Sequence, residues 1–129
     1  MGRSYIQLYK TGELQRRASE ALELLRNCVV CPRKCRVNRI DGEAGVCGVG
    51  FNPIVSSFGP HFGEERCLVG KGGSGTIFFA FCNLKCVFCQ NYDISQLGAG
   101  DEVDIERLTE IMVKLQWMGC HNVNLVSPT

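Results

Sequence analysis

Apolar positions in the second half of the chain follow two patterns. Ile105, Leu108, Ile111, Met112, Leu115 and Met118 fall three and four apart, which predicts one stripe of a helix. Asp104 is placed to cap its start and Gly119 to stop it, and both methionines read as core filling. Thr76-Ile77-Phe78-Phe79-Ala80-Phe81 is instead an unbroken β-branched and aromatic run, the pattern of a strand buried in a parallel sheet. Asn122-Val123-Asn124-Leu125-Val126 makes a second short strand. Strand, loop, helix, strand predicts one right-handed parallel unit.

The first half is less regular. Thr11 is placed to cap a helix running to about Arg26, with Leu14, Ala18, Ala21, Leu22 and Leu25 as its stripe and Tyr5 and Tyr9 as anchors. From Val49 to Arg66 the pattern predicts a short strand and turns, with Pro53 to Phe58 extended and Gly59-Pro60 and Gly63 as breakers. Gly70 to Gly75 is turn-rich, and Ile94 to Gly100 reads as a connector. The Gly70 stretch lacks the lysine placement of a phosphate loop and is rejected as one.

Candidate chemistry sits just after the first strand. Cys82, Cys86 and Cys89 lie four and three residues apart. In a straight helix they would share a face but spread over roughly 10 Å, at about 1.5 Å per residue. The bland reading is therefore a helix core, whereas a shared metal site requires a loop. Soft thiolates crowded in a chain without secretory features favour iron–sulfur or zinc chemistry over disulfides.

The pattern Cys-x3-Cys-x-aromatic-Cys, here Cys82, Cys86, Phe88 and Cys89, resembles the signature of radical S-adenosylmethionine enzymes. Gly59 to Glu65, Gly73 to Phe79 and Cys89-Gln90-Asn91 are similar to an uncharacterised branch related to the pyruvate formate-lyase activating enzyme. The resemblance implies a [4Fe-4S] cluster held by Cys82, Cys86 and Cys89, with the fourth iron open to S-adenosylmethionine. One electron passed into the sulfonium then breaks a carbon–sulfur bond, and a 5'-deoxyadenosyl radical abstracts hydrogen from a substrate. The resemblance further implies cofactor contacts at Phe88, near the adenine, at Asn91, and at Ser127 and Thr129 beyond the second strand; the bland reading of the last two is ordinary turn residues. An external one-electron donor of the flavodoxin or ferredoxin type is implied, and a protein substrate, since related activating enzymes pass the radical to a glycine on a partner. No catalytic residue beyond the cluster is assignable.

A second cysteine group precedes it. Cys28, Cys31, Cys35 and Cys47 include a Cys-x2-Cys knuckle and suit a structural zinc site, a second iron–sulfur cluster that relays electrons, or unliganded thiols. The spacing departs from the ferredoxin run of two, two and three intervening residues. Arg33, Lys34, Arg36 and Arg39 beside them would lower the thiol pKa values. Cys67 and Cys120 have no partner at ligand spacing and read as small buried hydrophobes. His61 reads as a packed or surface residue before a ligand, and Glu64 and Glu65 as solvated charge.

Composition adds limits. In 129 residues with 45% hydrophobic and 21% charged side chains, no run approaches the roughly 20 apolar residues that cross a bilayer. Met1-Gly2-Arg3-Ser4-Tyr5-Ile6 has neither a signal core nor a myristoylation pattern, so a cytoplasmic location with reduced cysteines is expected. The net charge of +1 divides unevenly: residues 1–40 hold nine basic and three acidic side chains, residues 41–129 five and ten. The basic third reads as a solvated face beside thiolates rather than a nucleic-acid site, because no aromatic interleaving accompanies it.

The expected fold class is α/β: an N-terminal cysteine-rich helical and loop module over 1–66, then over 67–129 the first βαβ unit of an incomplete radical SAM partial TIM-type barrel. The family barrel has many more βα units, so the sequence reads as a fragment that alone would gather a cluster weakly and turn over nothing. A non-enzymatic zinc module with two cysteine sites and an iron–sulfur electron carrier are the alternatives.

Overall fold

A four-stranded mixed sheet in the order β3-β1-β2-β4 carries the molecule, seen in a computed structural model that describes residues 4–129. Met1-Gly2-Arg3, on which the expectation about targeting partly rests, lies outside the described residues. The strands are β1 (Ile54–His61), β2 (Ser74–Phe79), β3 (Asp101–Glu102) and β4 (Asn122–Val126). The helices are α1 (Ser4–Lys10), α2 (Glu13–Glu23), α3 (Arg66–Val69), α4 (Tyr92–Ser95) and α5 (Ile105–Trp117), with a 3-10 turn at Arg39–Asp41. Among the described residues no helix is long and apolar enough to cross a membrane.

The parallel unit forms as the periodicity predicts. β2 and β4 pair in parallel from Ser74 opposite Asn122 to Phe78 opposite Val126, with α5 in the crossover. Asp104 caps α5, its carboxylate accepting the Arg107 N–H at 2.7 Å, and Gly119 follows the helix at φ 82°. Ile111 and Leu115 pack against Val55, Ile77 and Phe79 in the core, with Leu108, Met112 and Cys120 at its margin. The stripe is shorter than its period, since Ile105 and Met118 at its ends are exposed.

The other flank of β2 is antiparallel. β1 pairs with it from Val55 opposite Phe79 to His61 opposite Ser74, and two residues of β3 pair with the start of β1. Gly59 and Pro60, expected as breakers, lie inside β1. β3 covers only Ile54 and Val55, so the rest of β1 is an edge strand, where a residue without an N–H is tolerated. The sheet thus spans residue 66, with β1 before it and β2 and β4 after it.

The N-terminal helix is two helices. Gly12 adopts φ 75° and starts α2, while Thr11 donates its hydroxyl to the Gln7 and Leu8 carbonyls at the end of α1. Thr11 therefore closes one helix instead of opening the next. The two helices pack on each other. Arg16 and Arg17 pair with Glu13, and Arg16 also with Glu20. α2 buries none of its stripe, and Tyr5 and Tyr9 lie within α1 and are exposed. Cys67 is likewise exposed on α3, against the expectation of a buried thiol.

Candidate cysteine site

β2 ends at Phe79, and the next two residues turn the chain into the cysteine loop. The Ala80 N–H donates to the Ile54 carbonyl at 2.8 Å and the Phe81 N–H to the Ile94 carbonyl at 2.9 Å. Phe81 and Lys85, each directly before a cysteine, have φ of 67° and 54°, a left-handed conformation costly for side chains of this size. The Phe81 ring lies between two glycines: a methyl on Gly48 would fall 3.0 Å from its Cδ1, and one on Gly98 only 2.2 Å from its Cζ. Contacts to the strand before Phe81, to the connector after the loop and to the turn after Cys47 fix where the loop begins.

Cys82, Cys86 and Cys89 are all partly exposed and lie in a loop rather than a helix, as a shared site requires. Two of the sulfurs accept hydrogen bonds, Cys82 from the Leu84 N–H at 3.4 Å and Cys89 from the Ser95 hydroxyl at 3.2 Å. Gln96 Nε2 holds the loop by donating to the Cys86 carbonyl at 2.6 Å. Phe88 stands out of the loop at 87% exposure, beside Val87 at 92%. Asn91 is exposed at the start of α4, where its carbonyl accepts the Ser95 N–H at 2.8 Å. The loop follows β2 and Ser127 follows β4, so both leave the carboxyl ends of parallel neighbours, where ligands bind in α/β sheets. Ser127 is left-handed at φ 53° and exposed.

Thr129, two residues beyond Ser127, borders the other cysteine group. It lines a cavity of about 260 Å³ together with Cys28, Cys31, Cys35 and Cys47. Asn83, inside the three-cysteine loop, lines the same cavity, so the two cysteine groups share a wall. Arg33 spans them, donating from Nε to the Asn83 carbonyl at 2.7 Å and from Nη2 to the Leu84 carbonyl at 3.3 Å. The Cys31 thiol pKa is lowered, first by a hydrogen bond from the Asn83 side chain and then by the Arg33 and Lys34 backbone N–H groups, with the Arg33 charge a smaller cause. The flanking cations thus matter less at Cys31 than an amide 52 residues further along the chain.

Among the described residues, no group of three or more Cys, His, Asp or Glu side chains stands ready to hold a metal ion. Both groups have the donor type that soft metals take; neither is drawn together. His61 is exposed, its Nε2 4.0 Å from Glu64 Oε1.

The comparisons give one relative. The chain is 42% identical over 92 residues to an uncharacterised protein of Methanocaldococcus jannaschii, a match covering 71% of this chain and 26% of that protein. The chain spans about a quarter of the length of the curated relative it matches. No family model and no solved structure matches.

Sequence reasoning singled out all seven cysteines of the two groups but missed Asn83 and gave Arg33 only a general electrostatic part. Their roles depend on which loops meet in space, and local spacing carries no signal for that.

Proposed function

We propose that the chain contributes the cluster-binding part of a radical S-adenosylmethionine enzyme, with Cys82, Cys86 and Cys89 as the three ligands of a [4Fe-4S] cluster. The observation that carries the reading is a loop of three partly exposed cysteines leaving β2 beside the end of its parallel neighbour β4, with sulfurs already accepting N–H and O–H donors. Three thiolates leave a coordination position free for a reacting molecule, which four would close. A cluster held by Cys82, Cys86 and Cys89 would supply one-electron reduction of the sulfonium of S-adenosylmethionine.

The chain's own residues bind and orient. The Leu84 N–H and the Ser95 hydroxyl orient the Cys82 and Cys89 sulfurs by donating to them. Gln96 keeps the loop against α4 through the Cys86 carbonyl. Phe88 offers an exposed aromatic face for the adenine, and Asn91 and Ser127 offer polar groups at the ends of the loop and of β4. Thr129 and Asn83 both line the cavity beside the loop, which leaves Thr129 a candidate contact at that side. The electron comes from an external carrier.

Anaerobic reconstitution with iron and sulfide tests the reading. A brown protein whose absorption and electron paramagnetic resonance change on adding S-adenosylmethionine is expected. A cluster indifferent to that molecule, or three cysteines that retain zinc in its place, would refute it.

A further inference from the structure

The four earlier cysteines have a setting the proposed radical chemistry does not use. Cys28, Cys31, Cys35 and Cys47 line one cavity, and Cys28 and Cys47 are more than nine-tenths buried. Main-chain bonds hold their loops in place: the Cys28 N–H donates to the Val37 carbonyl and the Arg36 N–H to the Cys28 carbonyl, each at 3.0 Å. The Lys34 N–H closes a turn on the Cys31 carbonyl, and the Gly48 N–H closes another on Gly45, also at 3.0 Å. Lys34 and Arg36 are left-handed at φ 45° and 61°, a strain this compact loop has to offset. The Val46 N–H points at the Cys35 sulfur at 3.5 Å.

A second, independent feature is Arg39, only 6% exposed and also lining the cavity. Its guanidinium donates to two carbonyls, Gly50 at 2.7 Å and Thr129 at 3.3 Å. Among the described residues no Asp or Glu side chain pairs with it. A buried cation with no carboxylate side chain beside it gains from an anion placed in the same cavity.

We infer that Cys28, Cys31, Cys35 and Cys47 bind one divalent thiophilic ion of the zinc class as a tetrathiolate. Four thiolates around a divalent ion sum to a double negative charge, which the Arg33 and Arg39 guanidiniums at the cavity match. The Cys-x2-Cys knuckle suits tetrahedral zinc, and the remaining spacings do not follow the ferredoxin run. Because no trio of donors is preassembled, the ion draws the thiols into the cavity and displaces their four protons to solvent as it binds. The closed site then fixes Asn83 and Arg33, and through them the base of the three-cysteine loop.

Cobalt(II) is the probe, added anaerobically to the whole chain carrying C82A, C86A and C89A. With the loop thiols absent, the outcome is independent of whether that loop holds a cluster. Uptake of one cobalt per chain is expected, with the visible bands and the thiolate charge-transfer absorption of a tetrahedral sulfur site, and with displacement by zinc. Adding C31A and C47A should abolish the absorption. Should that variant fail to fold, Cys31→His alone keeps a ligand and should retain uptake with shifted bands. Absence of stoichiometric uptake by the folded chain, bands unmoved by Cys31→His, or an iron–sulfur chromophore retained by these four cysteines would overturn the inference.

Discussion

Replacing Gly98 with alanine tests how the cysteine loop is held. Gly98 has φ 73°, and its new methyl would lie 2.2, 2.6 and 2.7 Å from Phe81 Cζ, Cε1 and Cε2. The left-handed backbone costs an alanine about 1–2 kcal/mol, and overpacking adds about 1–3 kcal/mol. Together these destabilise the fold by about 2–5 kcal/mol. Gly119 is the matched control, with φ 82° but nothing within 4 Å of a methyl, so Gly119→Ala incurs the backbone cost alone. At roughly 4 °C per kcal/mol for a chain of this size, Gly98→Ala should lower Tm by about 8–20 °C and Gly119→Ala by about 4–8 °C. Circular dichroism melts measure both, and iron retained after reconstitution should fall further in Gly98→Ala because Phe81 sets the position of Cys82. In a Phe81→Ala background the excess cost at Gly98 should vanish. Equal melting of the two single variants, or an excess that survives removal of the ring, would refute the account.

Four other outcomes follow from the same structure. Cys86→Ala should abolish cluster loading while leaving cobalt uptake at the earlier cysteines, read by metal analysis. Leu115→Ala, at a position with no solvent exposure, should cost about 2–5 kcal/mol in urea unfolding. Asp104→Ala removes the cap of α5 and should cost about 1 kcal/mol, with Asp104→Asn largely restoring it. Hydrogen bonds from Arg16 and then Arg17 hold the Glu13 carboxyl at about pKa 2, below its ordinary 4.5. Because the folded value is the lower one, the stabilisation of α2 is complete above about pH 4.5 and lost as pH falls toward 2; Glu13→Gln should flatten that dependence in helical ellipticity.

Periodicity made the α5 unit legible, because Ile111 and Leu115 face the sheet and Asp104 and Gly119 mark the ends by chemistry local to them. The α1–α2 break was not legible in the same way. The stripe from Leu14 to Leu25 runs on beyond α2, and Thr11 suits either end of a helix; Gly12 in its left-handed turn decides between them. Pro60 misled for a related reason: proline breaks an interior strand, and only pairing across the sheet reveals that this part of β1 is an edge. At the cysteines, spacing named the donors without showing that Asn83, 52 positions further on, reaches Cys31, or that Arg39 is buried beside them, since a charged side chain gives no local sign of burial.

The sheet's two margins differ in a way that gives any larger assembly a direction. One margin ends in Asp101 and Glu102, too short and too acidic to template another strand. The opposite margin is β4, five residues long, with apolar Val123 and Leu125 uncovered. The stretch of β1 that β3 leaves uncovered is also an edge, but Pro60 interrupts its donors, whereas β4 contains no proline, so β4 is the margin better suited to receive a further strand, from the same polypeptide or another.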